Sequence, residues 1–299
     1  MKQFKFKDIG HLFGATFKKW FARDPFRESA VIAYNAIFSL PGLLVVVIAV
    51  SGYFFGKDAI TGHLHTQIAG AMGNDTALEI EQMVTFASRS KDSVWASIFA
   101  IVTIIVGATG VFVEMQQTLN EIWEVKANTD KSGFLLMLKT RLFSFGLIVT
   151  IAFLLLISLT LSSLLSALSA WVLLHWSDNW LLLFQVINFV FPLGVITVLF
   201  AMLFKILPDA KIKWHLVWIG AFLTSLLFTL GKSALGLYFG KAEPGSGYGT
   251  AGSVVLIMLW TSYSSMIVFF GAEFTKVYSD LYYGEVAPAE TAVKEKVKL

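Results

Sequence analysis

Apolar positions along the chain gather into six continuous runs, near residues 30–55, 94–113, 142–174, 180–204, 214–231 and 250–272. A hydrocarbon layer about 30 Å thick is crossed by roughly 20 helical residues, so each run is long enough to span a membrane. None shows the period-two alternation of a barrel strand. The pattern predicts an all-α, polytopic membrane fold with six transmembrane helices. The third run exceeds one straight span, and its Ser162–Ser169 serine–leucine stretch is expected to tilt or continue past the bilayer. Ahead of the first run, Ile9, Leu12, Phe13, Phe17, Trp20 and Phe21 recur at three and four residues, with Lys5, Lys7, Lys18 and Lys19 off that stripe. Residues 1–29 therefore read as a basic amphipathic helix lying in the inner interface, drawn to anionic lipid. A signal peptide is not expected in this stretch, because Lys18, Lys19, Arg23 and Arg27 interrupt every apolar core it would need. Residues 56–93 form the only sizeable outer segment. Gly70–Gly73 with Asn74 and Asp75 reads as a break there, and Thr76–Ser88 has helical spacing. Residues 281–299 read as a tail, loose from Gly284 onward.

Composition agrees with the pattern. The chain has 299 residues, 56% hydrophobic and 14% charged, with no cysteine and a mean hydropathy of +0.71. Soluble domains carry about 25% charged residues, so there is too little polar surface here for a soluble enzyme. A net charge of +3 is small for a nucleic-acid binder, and none is expected as a partner. The distribution of charge says more than its sum. With the N-terminus inside, 18 of the 23 Lys and Arg residues fall on the inner side and five on the outer. Basic residues beside short loops mark the cytoplasmic face, which places both termini there.

Catalytic and nucleotide-binding patterns fail on inspection. Gly231-Lys232-Ser233 resembles the end of a phosphate loop, but the required first glycine is Leu226. Gly245-Ser-Gly247-Tyr-Gly249 lacks dinucleotide spacing and follows no strand. Of His11, His63, His65, His175 and His215, only His63 and His65 are close together, and an exposed His-x-His without further ligands is not a metal site. No Gly-x-Ser-x-Gly elbow is present. The sequence assigns no catalytic residue, metal or cofactor.

Polar side chains at membrane depth are costly and each asks for a reason. At the inner ends stand Tyr34, Asn35, Glu114, Gln117, Asn120, Arg141, Lys205 and Glu273; at the outer ends, Lys232, Tyr238 and Tyr248. Gln185 and Asn188 lie in the outer half of the fourth span. Glu114, Gln117 and Glu121 share one helical face, which continues toward Asn120 and Trp123. Lys205, Lys232 and Arg141 are long enough to snorkel to headgroups. Glu114 and Glu273 are short, so both are expected to point into the bundle at a basic partner such as Arg27 or Arg141, in a packing or a functional role. Pro41 and Pro192 lie near the middle of the first and fourth spans, after Asn35 and Asn188. Proline frees a backbone carbonyl, and broken spans at matching places in two halves mark some transporters. Residues 30–141 and 180–273 would then be inverted repeats.

One set of residues resembles a known family. Ala33-Tyr34-x3-Phe38-Ser39-x-Pro41, then Gln116 or Gln117 with Leu119-Asn120-x-Ile122-Trp123, is similar to the YihY/BrkB family. So are Leu207-Pro208-Asp209, Gly220-Ala221, Tyr248-Gly249, Trp260 and Gly271-Ala272-Glu273. Asp209 stands where members often carry asparagine. The likeness runs from about residue 10 to 280 and implies a multi-pass protein of the bacterial inner membrane. Members have been labelled ribonucleases and tied to serum resistance and envelope or lipopolysaccharide export. The ribonuclease label fits badly, since RNA cleavage needs a basic groove and an aqueous acid–base pair or metal.

Two functions follow as expectations. One is a transporter or flippase-like exporter of an amphiphilic or lipid-like envelope molecule. Tyr34, Asn35, Pro41, Glu114, Gln117, Asn120, Arg141 and Glu273 would line its inner pathway, with Asn188, Pro192, Lys232 and Tyr248 further out. The other is a non-transporting scaffold for envelope biogenesis, binding other helices through faces such as Gly107-Ala-Thr-Gly110. Anionic membrane lipids, and either a homo-oligomer or an envelope-assembly partner, are the partners expected.

Overall fold

The computed structural model describes residues 8–88, 109–127, 146, 181–290 and 292–295. These are mostly helical. Helix α1 (Ile9–Ala22) turns into α2 (Pro25–Phe55), followed by α3 (Lys57–Met72) and α4 (Asn74–Ser88). Residues 109–122 form α5, and Val125–Ala127 the short strand β1. Then come α6 (Leu181–Ile206), α7 (Trp214–Ala242), a 3-10 turn (Ser246–Ala251), α8 (Gly252–Tyr282) and β2 (Ala292–Lys294). Four described helices are long and apolar enough to cross a membrane: Pro25–Ala49, Phe189–Ile206, Trp214–Ala242 and Gly252–Tyr282. The second and third expected spans, and with them Arg141 and the test of an inverted repeat, lie largely outside the described residues.

Helix α8 is the hub. It packs against α1, α2 and α7, and α7 packs in turn against α6. Every residue from Gly271 to Ser279 is buried, so this half of α8 is enclosed on all sides. The main core collects at this end, joining Leu12, Ile32, Leu119, Ile122, Phe204, Ile212, Val217 and Phe269. A smaller cluster of Leu44, Ile80 and Ile257 ties the α3–α4 hairpin to the opposite end. Gly73, at φ 92, makes the break between α3 and α4.

The α7–α8 crossing is built from a matched Gly-x3-Thr on each helix. A Cβ on Gly220 would lie 1.8 Å from Thr275 Oγ1, and one on Gly271 would lie 1.7 Å from Thr224 Oγ1. Each threonine donates back to the glycine carbonyl one turn earlier, Thr224 to Gly220 at 2.7 Å and Thr275 to Gly271 at 2.8 Å. Small residues let two membrane helices approach, and dispersion does the rest. Ser29 with Ser262 at 2.8 Å and Thr197 with Ser225 at 2.7 Å add hydroxyl ties between neighbouring helices.

Three expectations are corrected. Pro41 and Pro192 do not break their spans: both lie inside continuous helices. Asn35 does not serve the carbonyl that Pro41 frees, four residues back at Ile37, but donates to Val31 O at 3.1 Å. The helix expected to end near Gly231 runs on to Ala242. Nor is the tail loose. β2 pairs antiparallel with β1, Lys126 facing Val293, and Ala289 N donates to Asp209 O while Lys211 N donates to Ala287 O. The tail thus stitches the 123–127 and 207–213 connections together. Opposed antiparallel residues have disulfide-compatible Cα spacing, and the chain has no other cysteine. A Lys126→Cys, Val293→Cys variant should therefore oxidise to one intramolecular disulfide, read as a reducible mobility shift and absent from either single variant.

Candidate functional site

The site begins where α1 turns into α2. Asp24 takes the left-handed conformation, φ 54 and ψ 65, which is costly for a non-glycine residue and marks a sharp corner. Beyond it α1 lies across α8 rather than along it. Trp20 Nε1 donates to Met266 O at 3.2 Å, whereas the preceding Lys19 pairs with Asp280 at 3.6 Å. Those partners are about 21 Å apart along α8 at 1.5 Å per residue, a spread that adjacent residues reach only from a crossing helix. One flank of α1 therefore meets the polar end of α8 and the other meets its apolar stretch, where Phe13 packs on Phe274 and Trp20 on Phe270.

On the polar flank is a connected set of charges. Arg23 Nε reaches Glu273 Oε2 at 3.1 Å, with side chains only 7% and 1% exposed. Lys276 donates to Glu124 at 2.7 Å and pairs with Asp280 at 3.4 Å. Glu124 sits just past α5 at φ 55. Burial pushes its carboxyl up, but the hydrogen bond and charge of Lys276 outweigh that and hold it below its ordinary value of 4.5. A depressed carboxylate stabilises the fold fully above its unfolded value, and that contribution is lost as pH falls through the lower folded one. Glu124→Gln should accordingly lower thermal stability in detergent at pH 7, with the gap to wild type closing below about pH 4.

A second cluster fastens the connections. Asp209 Oδ2 accepts from Asn120 Nδ2 at 2.8 Å and Gln116 Nε2 at 3.3 Å, and Asp209 N donates to Asn120 Oδ1 at 2.7 Å. Lys205 does not snorkel. Its Nζ donates to Ile212 O and lies 5.9 Å from the Trp214 ring centroid, closing the 207–213 turn.

Two hollows flank α1. A polar cavity of about 190 Å³ is lined by Lys19, Trp123, Glu124, Lys276, Asp280 and tail residues Glu285, Val286 and Lys294. Trp123 Nε1 is buried without a hydrogen-bond partner among the described residues, as is Glu273 Oε1. On the other flank an open apolar groove of about 400 Å³ runs between Phe17, Trp20, Phe26, Leu227, Tyr263, Met266, Ile267 and Phe270.

Of the side chains marked by sequence, Asn120 and Glu273 lie at this end and are built into it. The basic partner of Glu273 is Arg23, not Arg27. Gln116, one position from the marked Gln117, makes the Asp209 contact, while Gln117 and Glu121 are exposed. Glu114 is half-buried and makes no ion pair among the described residues. Tyr34 is 60% exposed and stacks edge-on against Phe38. Lys232 and Tyr248 are exposed and remote from the network. Asn188 and Pro192 lie in α6. Sequence reasoning missed Arg23, Glu124, Lys276 and Asp280 as a set. Lys276 offered one signal, a lone base just after Glu273 in an otherwise apolar helix.

Among the described residues, no group of three His, Cys, Asp or Glu side chains is placed to hold a metal. No solved structure matches the chain. Curated relatives do. It is 25% identical over 280 residues to a UPF0761 membrane protein of Saccharophagus degradans, covering 92% of this chain and 61% of that protein. A second, from Verminephrobacter eiseniae, is 25% identical over 85% of this chain and 58% of its own length. A third, from Haemophilus influenzae, is 24% identical over 90% of this chain and 96% of its own length. The chain thus spans about three-fifths of the first two relatives and nearly all of the third. The sequence model of the family described as Virulence factor BrkB matches residues 16–295, and the chain belongs to this family of membrane proteins.

Proposed function

We propose that this is a transporter of the bacterial inner membrane that moves a lipid-like amphiphile of the envelope, with α1, the charge network and the tail on the cytoplasmic side. One observation carries the reading: a polar cavity and an apolar groove lie on opposite flanks of a single crossing helix. An amphiphile divides its own surface in the same way. The excess of Lys and Arg on that side supports the orientation. With no nucleotide motif in the sequence, the driving force would be an ion gradient, a partner or the substrate's own gradient. The scaffold reading has less support. Gly110, half of the small-residue face offered for docking, is covered within the chain by Ser39, whose Oγ would be 2.7 Å from an added Cβ.

The test is leaflet exchange in proteoliposomes. Fluorescently tagged phosphatidylglycerol, phosphatidylethanolamine and a lipid A precursor are placed in one leaflet and followed by impermeant quencher. Wild-type protein should speed exchange of at least one, and Glu273→Gln at equal folded protein should not. Exchange no faster than in empty vesicles for the whole panel would sink the transport reading.

A further inference from the structure

We propose that the ion driving transport is the proton, and that Glu273 carries it, exchanging with the cytoplasm through the polar cavity. The inference rests on the transporter reading and orientation given above, and it names the driving ion. It begins with Arg23, whose buried guanidinium serves two carboxylates. Arg23 Nε is 3.1 Å from Glu273 Oε2. Glu28, half-buried on α2, feels the charges of both Arg23 and Glu273. Two carboxylates around one buried guanidinium leave a negative charge in excess, and an uncompensated charge away from water is costly. A proton removes it. Among the described residues, no third carboxylate or imidazole makes this a metal site.

The other charged groups around Glu273 do not balance the pair. Lys19 on α1 is paired with Asp280. On α8 itself, Lys276 is held by Glu124, just past α5, and by Asp280. Exposed Arg27 on α2 and exposed Glu121 on α5 act on Glu28 with opposite sign. Asp24, exposed at the corner, adds to the negative side, and Glu114 lies two turns back along α5. α7 meets this stretch with Gly220 and Thr224 and has no charged side chain between His215 and Lys232.

The second carboxylate oxygen shows how the proton arrives. Oε2 accepts from Arg23, so the proton goes to Oε1, which is buried without a partner among the described residues. Ionised, Oε1 needs a donor; protonated, it needs an acceptor. Water serves both states. Lys276 and Asp280 follow Glu273 by three and seven residues, on the same helical face. Both line the polar cavity of about 190 Å³, as does Trp123, whose buried Nε1 has no acceptor among the described residues. A polar space of that size holds several waters. An O–H bond breaks in hydronium and one forms at Oε1; Arg23 keeps its charge and is left to Glu28. Discharge to water reverses the step.

Two measurements on the full-length protein test this. Infrared difference spectra in lipid bilayers should gain the C=O stretch of a neutral carboxyl on acidification, and Glu273→Gln should lack it. A Glu273 that stays ionised until the protein denatures overturns the proposal and leaves the transport reading standing. The second measurement is leaflet exchange of the tagged lipids under a pH difference, with valinomycin and equal potassium holding the membrane potential at zero. One proton per lipid moves the steady-state leaflet ratio about tenfold per pH unit, and a protonophore should abolish the shift. Exchange that ignores the pH difference, or follows a sodium gradient instead, overturns the proposal while transport stands. Exchange no faster than in empty vesicles overturns both. If Glu273→Gln does not fold, Arg23→Met with Glu273→Met takes its place.

Discussion

Gly271→Ala should destabilise the protein by about 3 kcal/mol, the upper part of the range for overpacking a fitted interior. In a helix, alanine is otherwise better than glycine by up to about 1 kcal/mol, so the sign itself is diagnostic. The new Cβ would fall 1.7 Å from Thr224 Oγ1, 2.9 Å from Thr224 Cβ and 3.3 Å from Phe204 Cζ. The hydroxyl cannot simply swing away, because it is hydrogen-bonded to Gly220 O and buried. Separating the helices would also loosen the mirror contact of Gly220 with Thr275. Thr224→Ala removes the 1.7 Å overlap and leaves the 2.9 Å contact with its Cβ and the 3.3 Å contact with Phe204 Cζ, which a shift of a few tenths of an ångström relieves. The double variant Gly271→Ala, Thr224→Ala should therefore recover most of the loss. The measurement is the fraction of monodisperse protein surviving a heating series in detergent. A single variant as stable as wild type would show that the crossing is looser than the structure has it.

This crossing also shows what was legible beforehand. Gly220-Ala221 and Gly271-Ala272-Glu273 were visible as separate family motifs, and the structure makes them one contact. The long helices could be read because a membrane demands long apolar runs whatever the tertiary structure, and the α3–α4 break because Gly70–Gly73 with Asn74 and Asp75 stands just ahead of the helical spacing of Thr76–Ser88. Asn120 and Glu273 stood out because polar groups at membrane depth need partners. What could not be read was which partners. Arg23 is 250 residues from Glu273 and looks like one more cation in a basic anchor. Gln116 and Gln117 differ only by 100° of helical rotation, and the side that faces Asp209 is a matter of register. The tail misled for a similar reason: Ala292-Val293-Lys294 is too short to announce itself as a strand and becomes one only against β1. The prolines misled differently, since within a packed bundle a helix can pass through proline with one hydrogen bond fewer.

Replacing Glu273 alone should cost about 3–5 kcal/mol, the usual penalty for leaving a buried charge without its partner. In Glu273→Ala the guanidinium of Arg23, its side chain 7% exposed, would remain buried beside a void. Substituting both partners with methionine removes the two charges together and keeps approximately their volume. Such replacements are often neutral or better, and here they also remove Glu273 Oε1, which has no partner among the described residues. Arg23→Met, Glu273→Met should thus heat-denature close to wild type while Glu273→Ala does not. The pair of variants separates two roles that a single substitution confounds. If the ion pair only holds α1 against α8, the double variant should still exchange lipid between leaflets. If the carboxylate takes part in moving substrate or a coupling ion, the double variant should be folded and silent. The second outcome is expected, because a protein needing only a strut at this position could hold two helices together with apolar side chains, without burying a charge pair that leaves one carboxylate oxygen unsatisfied.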